Sequence, residues 1–167
     1  TFNASDGVYI LNVSMSDDNK TFGANVTVNF TLDTEAPVVG LIAPVNNSNS
    51  SGVTTFTYTV TQTNSLSALV ACQLFGNWTS TGFVGNQTDN NPLQGLQNDF
   101  AETIDFTNNA TYVIWNVRCN DTARNYGWNS TNFTLNIDYN ASKVGLIAPA
   151  NNTFSNGSDV VFTYIQT

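Results

Sequence analysis

Asparagine followed two residues later by serine or threonine, with no proline between, is the acceptor pattern for N-linked sugar. The chain carries it at Asn3, Asn12, Asn19, Asn25, Asn29, Asn46, Asn49, Asn77, Asn86, Asn109, Asn120, Asn129, Asn132, Asn140, Asn151 and Asn156. One such triplet is weak evidence in a chain rich in Asn and Thr. Here well over half of the asparagines qualify, more than shuffling this composition gives. The second chemistry on offer is thiol chemistry. Cys72 and Cys119 are the only cysteines, and an even pair in an oxidising compartment reads as a disulfide. Closing a loop of about 47 residues contributes roughly 4 kcal/mol in the chain-entropy picture.

Other chemistries find little material. The chain has no histidine, which removes the usual general base at neutral pH. Glu102 and Asp105 are close in sequence, but on a strand they face opposite ways, so they make a poor pair for glycoside hydrolysis. The chain is expected not to be an enzyme. Two thiols without a histidine do not suggest zinc. Asp121 with Asn125, or Asp33 with Glu35, could offer oxygens to calcium. An Asx-turn, in which the carboxylate bonds the local backbone, is the favoured reading, and Asp17-Asp18-Asn19 invites the same one. No metal or cofactor is therefore expected beyond covalent glycans. Trp78, Trp115 and Trp128 raise the question of a sugar-stacking platform. Trp115 reads as core, and packing against neighbouring loops is favoured for the other two.

Charge excludes further classes. Four basic residues stand against twelve acidic ones, for a net charge of −8. Lys20, Arg118, Arg124 and Lys143 are scattered, whereas nucleic-acid binding needs clustered cations that displace counterions. No apolar run is long enough to span a bilayer; the one near Val38–Val45 holds a Gly and a Pro.

These side chains need positioning elements, and an internal repeat supplies the frame. Val39-Gly-Leu-Ile-Ala-Pro-Val-Asn-Asn47 matches Val144-Gly-Leu-Ile-Ala-Pro-Ala-Asn-Asn152, about 105 residues on. Phe56-Thr-Tyr58 answers Phe162-Thr-Tyr164, Tyr9–Val13 answers Tyr112–Val117, and Leu32-Asp33 answers Ile137-Asp138. The frame predicts a complete unit over residues 35–139, the last strands of a preceding unit over 1–34, and the first strands of a following one over 140–167. The chain then reads as an excerpt of a longer array, beginning and ending within units; the alternative is a subunit whose ends complete a neighbour in another way.

Period-2 alternation predicts strands over 38–43, 53–61, 69–75, 80–84, 100–106, 112–120 and 132–137, with a polar loop over 86–97. Phe56, Tyr58 and Val60 share one face, as do Trp115, Val117 and Cys119, and Phe133, Leu135 and Ile137. Leu11, Val13 and Met15, and Val28, Phe30 and Leu32, repeat the last two faces. Asn12, Asn29 and Asn132 alternate with inward residues and so point to solvent. Seven short strands with polar turns suggest an antiparallel sandwich of about 100 residues.

The linker Asp33-Thr-Glu-Ala-Pro-Val-Val39, the run Leu41–Asn47 and the tail Trp115-Asn-Val-Arg-Cys-Asn-Asp-Thr-Ala-Arg-Asn125 resemble the tandem immunoglobulin-like repeats of archaeal surface proteins; similar modules occur in bacterial adhesins. Two positions depart from the pattern. Arg124 stands where Gly is usual, and Tyr139-Asn-Ala-Ser142 replaces an Ala-Pro linker. The resemblance implies an all-β tandem array of seven-stranded Ig-like sandwiches, extracellular or on a cell surface. Its expected partners are neighbouring repeats, as a homopolymer or a single-chain array, and glycans. Its expected role is structural, as part of a glycosylated filament, sheath or surface layer; the alternative is the stalk of an adhesin.

Overall fold

The computed structural model describes residues 3–51, 53–79, 82–100, 104–105, 112–138 and 142–166. No helix occurs among them; the secondary structure is all strand and turn. In chain order the strands are β1 (Gly7–Val13), β2 (Val26–Leu32), β3 (Val38–Ala43), β4 (Ser48–Ser50), β5 (Val53–Thr54), β6 (Thr57–Thr61), β7 (Leu69–Thr79), β8 (Gly82–Asp89), β9 (Gln97–Asp99), β10 (Ile104–Asp105), β11 (Tyr112–Asp121), β12 (Tyr126–Trp128), β13 (Phe133–Ile137), β14 (Val144–Ala148) and β15 (Thr163–Gln166).

The central part holds two facing sheets. One runs β4-β13-β11-β7-β8, with β12 also on β11; the other runs β3-β6-β9. A short β5–β10 pair stands beside them. Alternation decides what lies between the sheets. On β11, Val113, Trp115, Val117 and Cys119 are buried, joined by Cys72 and Leu74 of β7 and Leu135 and Ile137 of β13. The facing sheet supplies Val39, Tyr58 and Val60, with Phe56 just before β6 and Phe100 just after β9. Phe56 meets Trp115 edge-on at 4.8 Å and stacks near Trp78 at 5.4 Å, while Tyr58 stacks on Phe100 at 5.1 Å. Edge-on and offset arrangements suit the aromatic quadrupole. The Tyr58 hydroxyl donates to Asp89 Oδ2 at 2.7 Å. Burial first, and then this carboxylate, push the phenol's pKa far above its ordinary value.

Several strands differ from the sequence expectation. The 53–61 strand breaks at Thr55 and Phe56 into β5 and β6, each on a different sheet. β7 continues to Thr79, and β8 runs to Asp89 through residues expected to be loop. Alternation puts Thr57 on the polar face of its strand, yet it is buried; its hydroxyl donates to Asp99 Oδ1 at 2.6 Å, which removes the cost of burying it. Parts of the 80–84 and 100–106 strands lie outside the described residues.

The sequence repeat is also a repeat of backbone. In β3–β6, Leu41 pairs Tyr58 and Ala43 pairs Thr57, with a register shift between them; in β14–β15, Leu146 pairs Tyr164 and Ala148 pairs Thr163, with the same shift. Both copies have a cis Ala-Pro bond, and both place an asparagine, Asn47 or Asn152, at φ 61°. In β1–β2, Tyr9 pairs Phe30 and Leu11 pairs Val28, as Val113 pairs Leu135 and Trp115 pairs Phe133 in β11–β13. What differs is cover. Phe56 and Tyr58 are 0% exposed, whereas Phe162 is 74% and Tyr164 67% exposed.

Cys72 and Cys119 are cross-strand partners on β7 and β11 and form a disulfide. The bond joins two neighbouring strands of one sheet, with both sulfurs inside the core. Cys119→Ser leaves a buried thiol and a buried hydroxyl where the bond was. It should lower stability by about 4 kcal/mol, read as a lower denaturant midpoint than the oxidised wild type. An unchanged midpoint, with two titratable thiols in the wild type, would contradict the bridge.

Candidate functional site

Of the sixteen acceptor asparagines, Asn109 and Asn140 lie outside the described residues. Asn3, Asn12, Asn19, Asn25, Asn29, Asn46, Asn49, Asn86, Asn132, Asn151 and Asn156 are exposed, and Asn77, Asn120 and Asn129 are half-buried. None of the described acceptors is buried. The buried asparagines, Asn98 and Asn116, both lack the triplet. Alternation explains part of this separation. In β1–β2, Asn12 pairs Thr27 and Ile10 pairs Asn29 on one face, while Tyr9, Leu11, Val28 and Phe30 share the other.

Hydrogen bonding sorts the two edges of several of these amides. Asn46 Oδ1 accepts the Thr134 N–H at 2.8 Å, and Asn77 Oδ1 accepts the Ile114 N–H at 2.7 Å. A backbone N–H can only meet the oxygen of an amide, so in both residues the nitrogen, the atom that would carry sugar, is not used in that bond. Asn132 is fixed through a neighbour: Asn116 Nδ2 donates to the Asn129 carbonyl at 3.0 Å and to Asn132 Oδ1 at 2.7 Å.

The second cluster lies at the linker. Asp121, at the end of β11, is 1% exposed. Its Oδ1 accepts Asn125 N at 2.9 Å; its Oδ2 accepts Asn125 Nδ2 and Ser67 Oγ at 3.0 Å and Gln62 Nε2 at 3.3 Å. Asn125 Nδ2 also donates to the Asp33 carbonyl at 3.0 Å. Asp33 Oδ1 accepts Glu35 N and Asn64 Nδ2, and Glu35 Oε2 accepts Thr63 Oγ1 at 2.8 Å. A Cβ on Gly127 would fall 1.8 Å from the Pro37 carbonyl oxygen, so only glycine lets β12 approach the linker this closely. The linker is thus held to the central sheets by its own backbone and by both of its carboxylates.

The Asp121 turn has a twin. Asp17 Oδ1 accepts Asn19 N and Thr21 N, and Lys20 N donates to the Asp17 carbonyl, as Arg124 N does to Asp121. Lys20 and Arg124 both sit in left-handed backbone, at φ 60° and 69°. Glycine adopts positive φ freely, whereas a side-chain-bearing residue such as Lys20 or Arg124 does so at a cost. The oxygens weighed above as calcium ligands are in these turns and at the linker. Among the described residues no three His, Cys, Asp or Glu side chains converge as a metal site.

Ionisation follows from the donors. Around Asp121 burial acts to raise the pKa, but the hydrogen bonds from Asn125, Ser67 and Gln62 prevail and hold it below the ordinary carboxylate range. Hydrogen bonds from Ser67 and Asn64 lead in lowering Asp33, against burial.

The tryptophans separate. Trp115 is buried, Trp78 turns inward against Phe56, and Trp128 stays 41% exposed on the outer face beside Phe75, at 4.7 Å. Glu102 lies outside the described residues, as does the side chain of Asp105. Sequence reasoning missed Gln62, Asn64 and Ser67, whose partners lie far along the chain, and the stacking of Arg118 among Phe75, Tyr126 and Trp128. Only the polar run Gln62–Ser67 hinted at the former. No family model matches the chain, and no curated protein matches it either.

A group whose folded pKa is depressed contributes stability that is complete above its unfolded pKa and is lost as pH falls through the folded value. Thermal midpoints should therefore hold from neutral pH down to about 4, the ordinary Asp value, and fall below it. Asp121→Ala strands several buried donors and should cost about 3 kcal/mol or more in denaturant unfolding. Arg124→Gly should instead be neutral or stabilising by up to about 1 kcal/mol, whereas Arg124→Val should destabilise.

Proposed function

We propose that this chain is part of an extracellular, N-glycosylated tandem array of Ig-like sandwiches whose role is structural. In this reading residues 35–139 form one Ig-like repeat, and 1–34 and 140–167 belong to the repeats on either side. The observation that carries it is the uncovered apolar face of each flanking hairpin. β14–β15 has the register of β3–β6, and β1–β2 that of β11–β13, and the central sheets bury those same faces against each other. A two-stranded hairpin is not stable alone in water, so each hairpin needs the rest of a sandwich. The linker's hydrogen bonds support limited bending between units, which suits a load-bearing array.

Surface chemistry supports the same reading. None of the described acceptor asparagines is buried, as an outward sugar coat requires. Sugars would solubilise a surface with few charges and screen sheet edges from stray strand pairing. The protein would act by assembly and cover, without catalysis, and the disulfide fits an oxidising location.

Cryo-electron microscopy of the native material, with glycopeptide mass spectrometry, tests this. The expected result is a continuous fibre or layer with an axial repeat of roughly 40 Å per sandwich, and sugar density at acceptor asparagines. Dispersed rods with bare asparagines and a distinct binding tip would favour the adhesin stalk.

A further inference from the structure

The outer face of the larger sheet carries a row of stacked side chains that the core does not need. Phe83 of β8 stacks on Phe75 of β7 at 6.1 Å. The Arg118 guanidinium of β11 lies 4.9 Å from the Phe75 ring, 4.9 Å from Tyr126 and 5.6 Å from Trp128, the last two on β12. The row crosses four adjacent strands. It remains open to solvent: Phe83 is 41%, Tyr126 54% and Trp128 41% exposed. Large apolar groups gathered on an exposed face mark an interaction site more often than scattered ones do.

Arg118 is one of four basic residues in the chain. Among the described residues its side chain makes one hydrogen bond, from Nη2 to Gln73 Oε1 at 3.1 Å. The rest of its five-donor fork is uncommitted, in a plane fixed by the rings on either side. Flat rings beside oriented donors suit a pyranose. The C–H groups of one sugar face pack on an aromatic ring, and its hydroxyls accept from a guanidinium.

One acceptor asparagine is placed to supply that sugar. Asn120 lies two residues beyond Arg118 on β11, on the same outward face, opposite the inward Cys119. Residues so spaced on a strand are about 7 Å apart. Asn120 is also the cross-strand partner of Tyr126, which puts their Cβ atoms about 5 Å apart. We infer that the Phe83–Phe75–Arg118–Tyr126–Trp128 row is a sugar-binding platform whose occupant is the N-linked saccharide of Asn120, folded back onto the sheet. This rests on the glycosylated reading above and adds a place and a role to one glycan: it covers the open face of the sheet.

The test uses the full chain secreted from a host that glycosylates it. Glycopeptide mass spectrometry reads occupancy at Asn120. Thermal midpoints are compared for wild type, Asn120→Gln, Tyr126→Ala and the double variant, with Trp128→Ala as a second platform variant and Thr122→Ser as a control that keeps the acceptor triplet. The expected result is an occupied Asn120, and a fall of about 4 °C or more on Asn120→Gln that largely vanishes once Tyr126 or Trp128 is removed. Additive losses, or an occupied Asn120 whose removal changes nothing, would overturn the platform. So would a bare Asn120 beside occupied acceptors elsewhere, which leaves the glycosylated array standing. If every acceptor is bare, both readings fail together. Saturable binding of free oligosaccharide to a bare-Asn120 protein, lost in Trp128→Ala, would replace the inference with a site for foreign sugar.

Discussion

A buried carboxylate with donors rather than a cation around it organises the end of the central sheets. Asp121 takes hydrogen bonds from Asn125, Ser67 and Gln62, and through Asn125 it reaches the Asp33 carbonyl. An ionised group can stay out of water only if its lone pairs are met. Meeting them here draws in the turn after β11, the 62–67 loop and the linker. Those three segments have little apolar material of their own to hold them. The disulfide and aromatic core join the strands; this carboxylate joins what lies between them.

The turn itself recurs at Asp17, there exposed, with the bond from the backbone N–H four residues on and the left-handed residue repeated. Repetition at this level says more than a matching string of letters. A cis Ala-Pro bond, a shifted register and a left-handed asparagine return together in β14–β15. What differs between the two copies is the cover over the apolar face.

Much of this is legible in the sequence, for identifiable reasons. Inward faces alternate cleanly on β11, β13 and β6, so alternation alone assigns Trp115, Leu135 and Tyr58 to a core. β4 and β12 are three residues long and too short for alternation to register. The end of β8 reads as loop because an edge strand facing water can be polar throughout. Thr57 and Asn116 break the rule that polar means outward, because each finds partners inside. The linker lock is out of reach: Asn125 and Asp33 are 92 residues apart, and nothing local announces their meeting. The Arg118 stack is hidden for the same reason, since its rings come from β7 and β12.

The scarcity of basic residues has a consequence for how the chain meets proteases. Proteases that cut after Lys or Arg find only four such side chains in this chain. Arg118 lies within a paired strand, its head wedged between rings, and Arg124 is held in a tight turn beside the linker. A protease must draw several residues of its target into an extended, unpaired form, and neither bond is offered that way without local unfolding. Lys20 is likewise held in a turn, which leaves Lys143 as the most accessible cut. Digestion by such an enzyme should then produce a few large pieces.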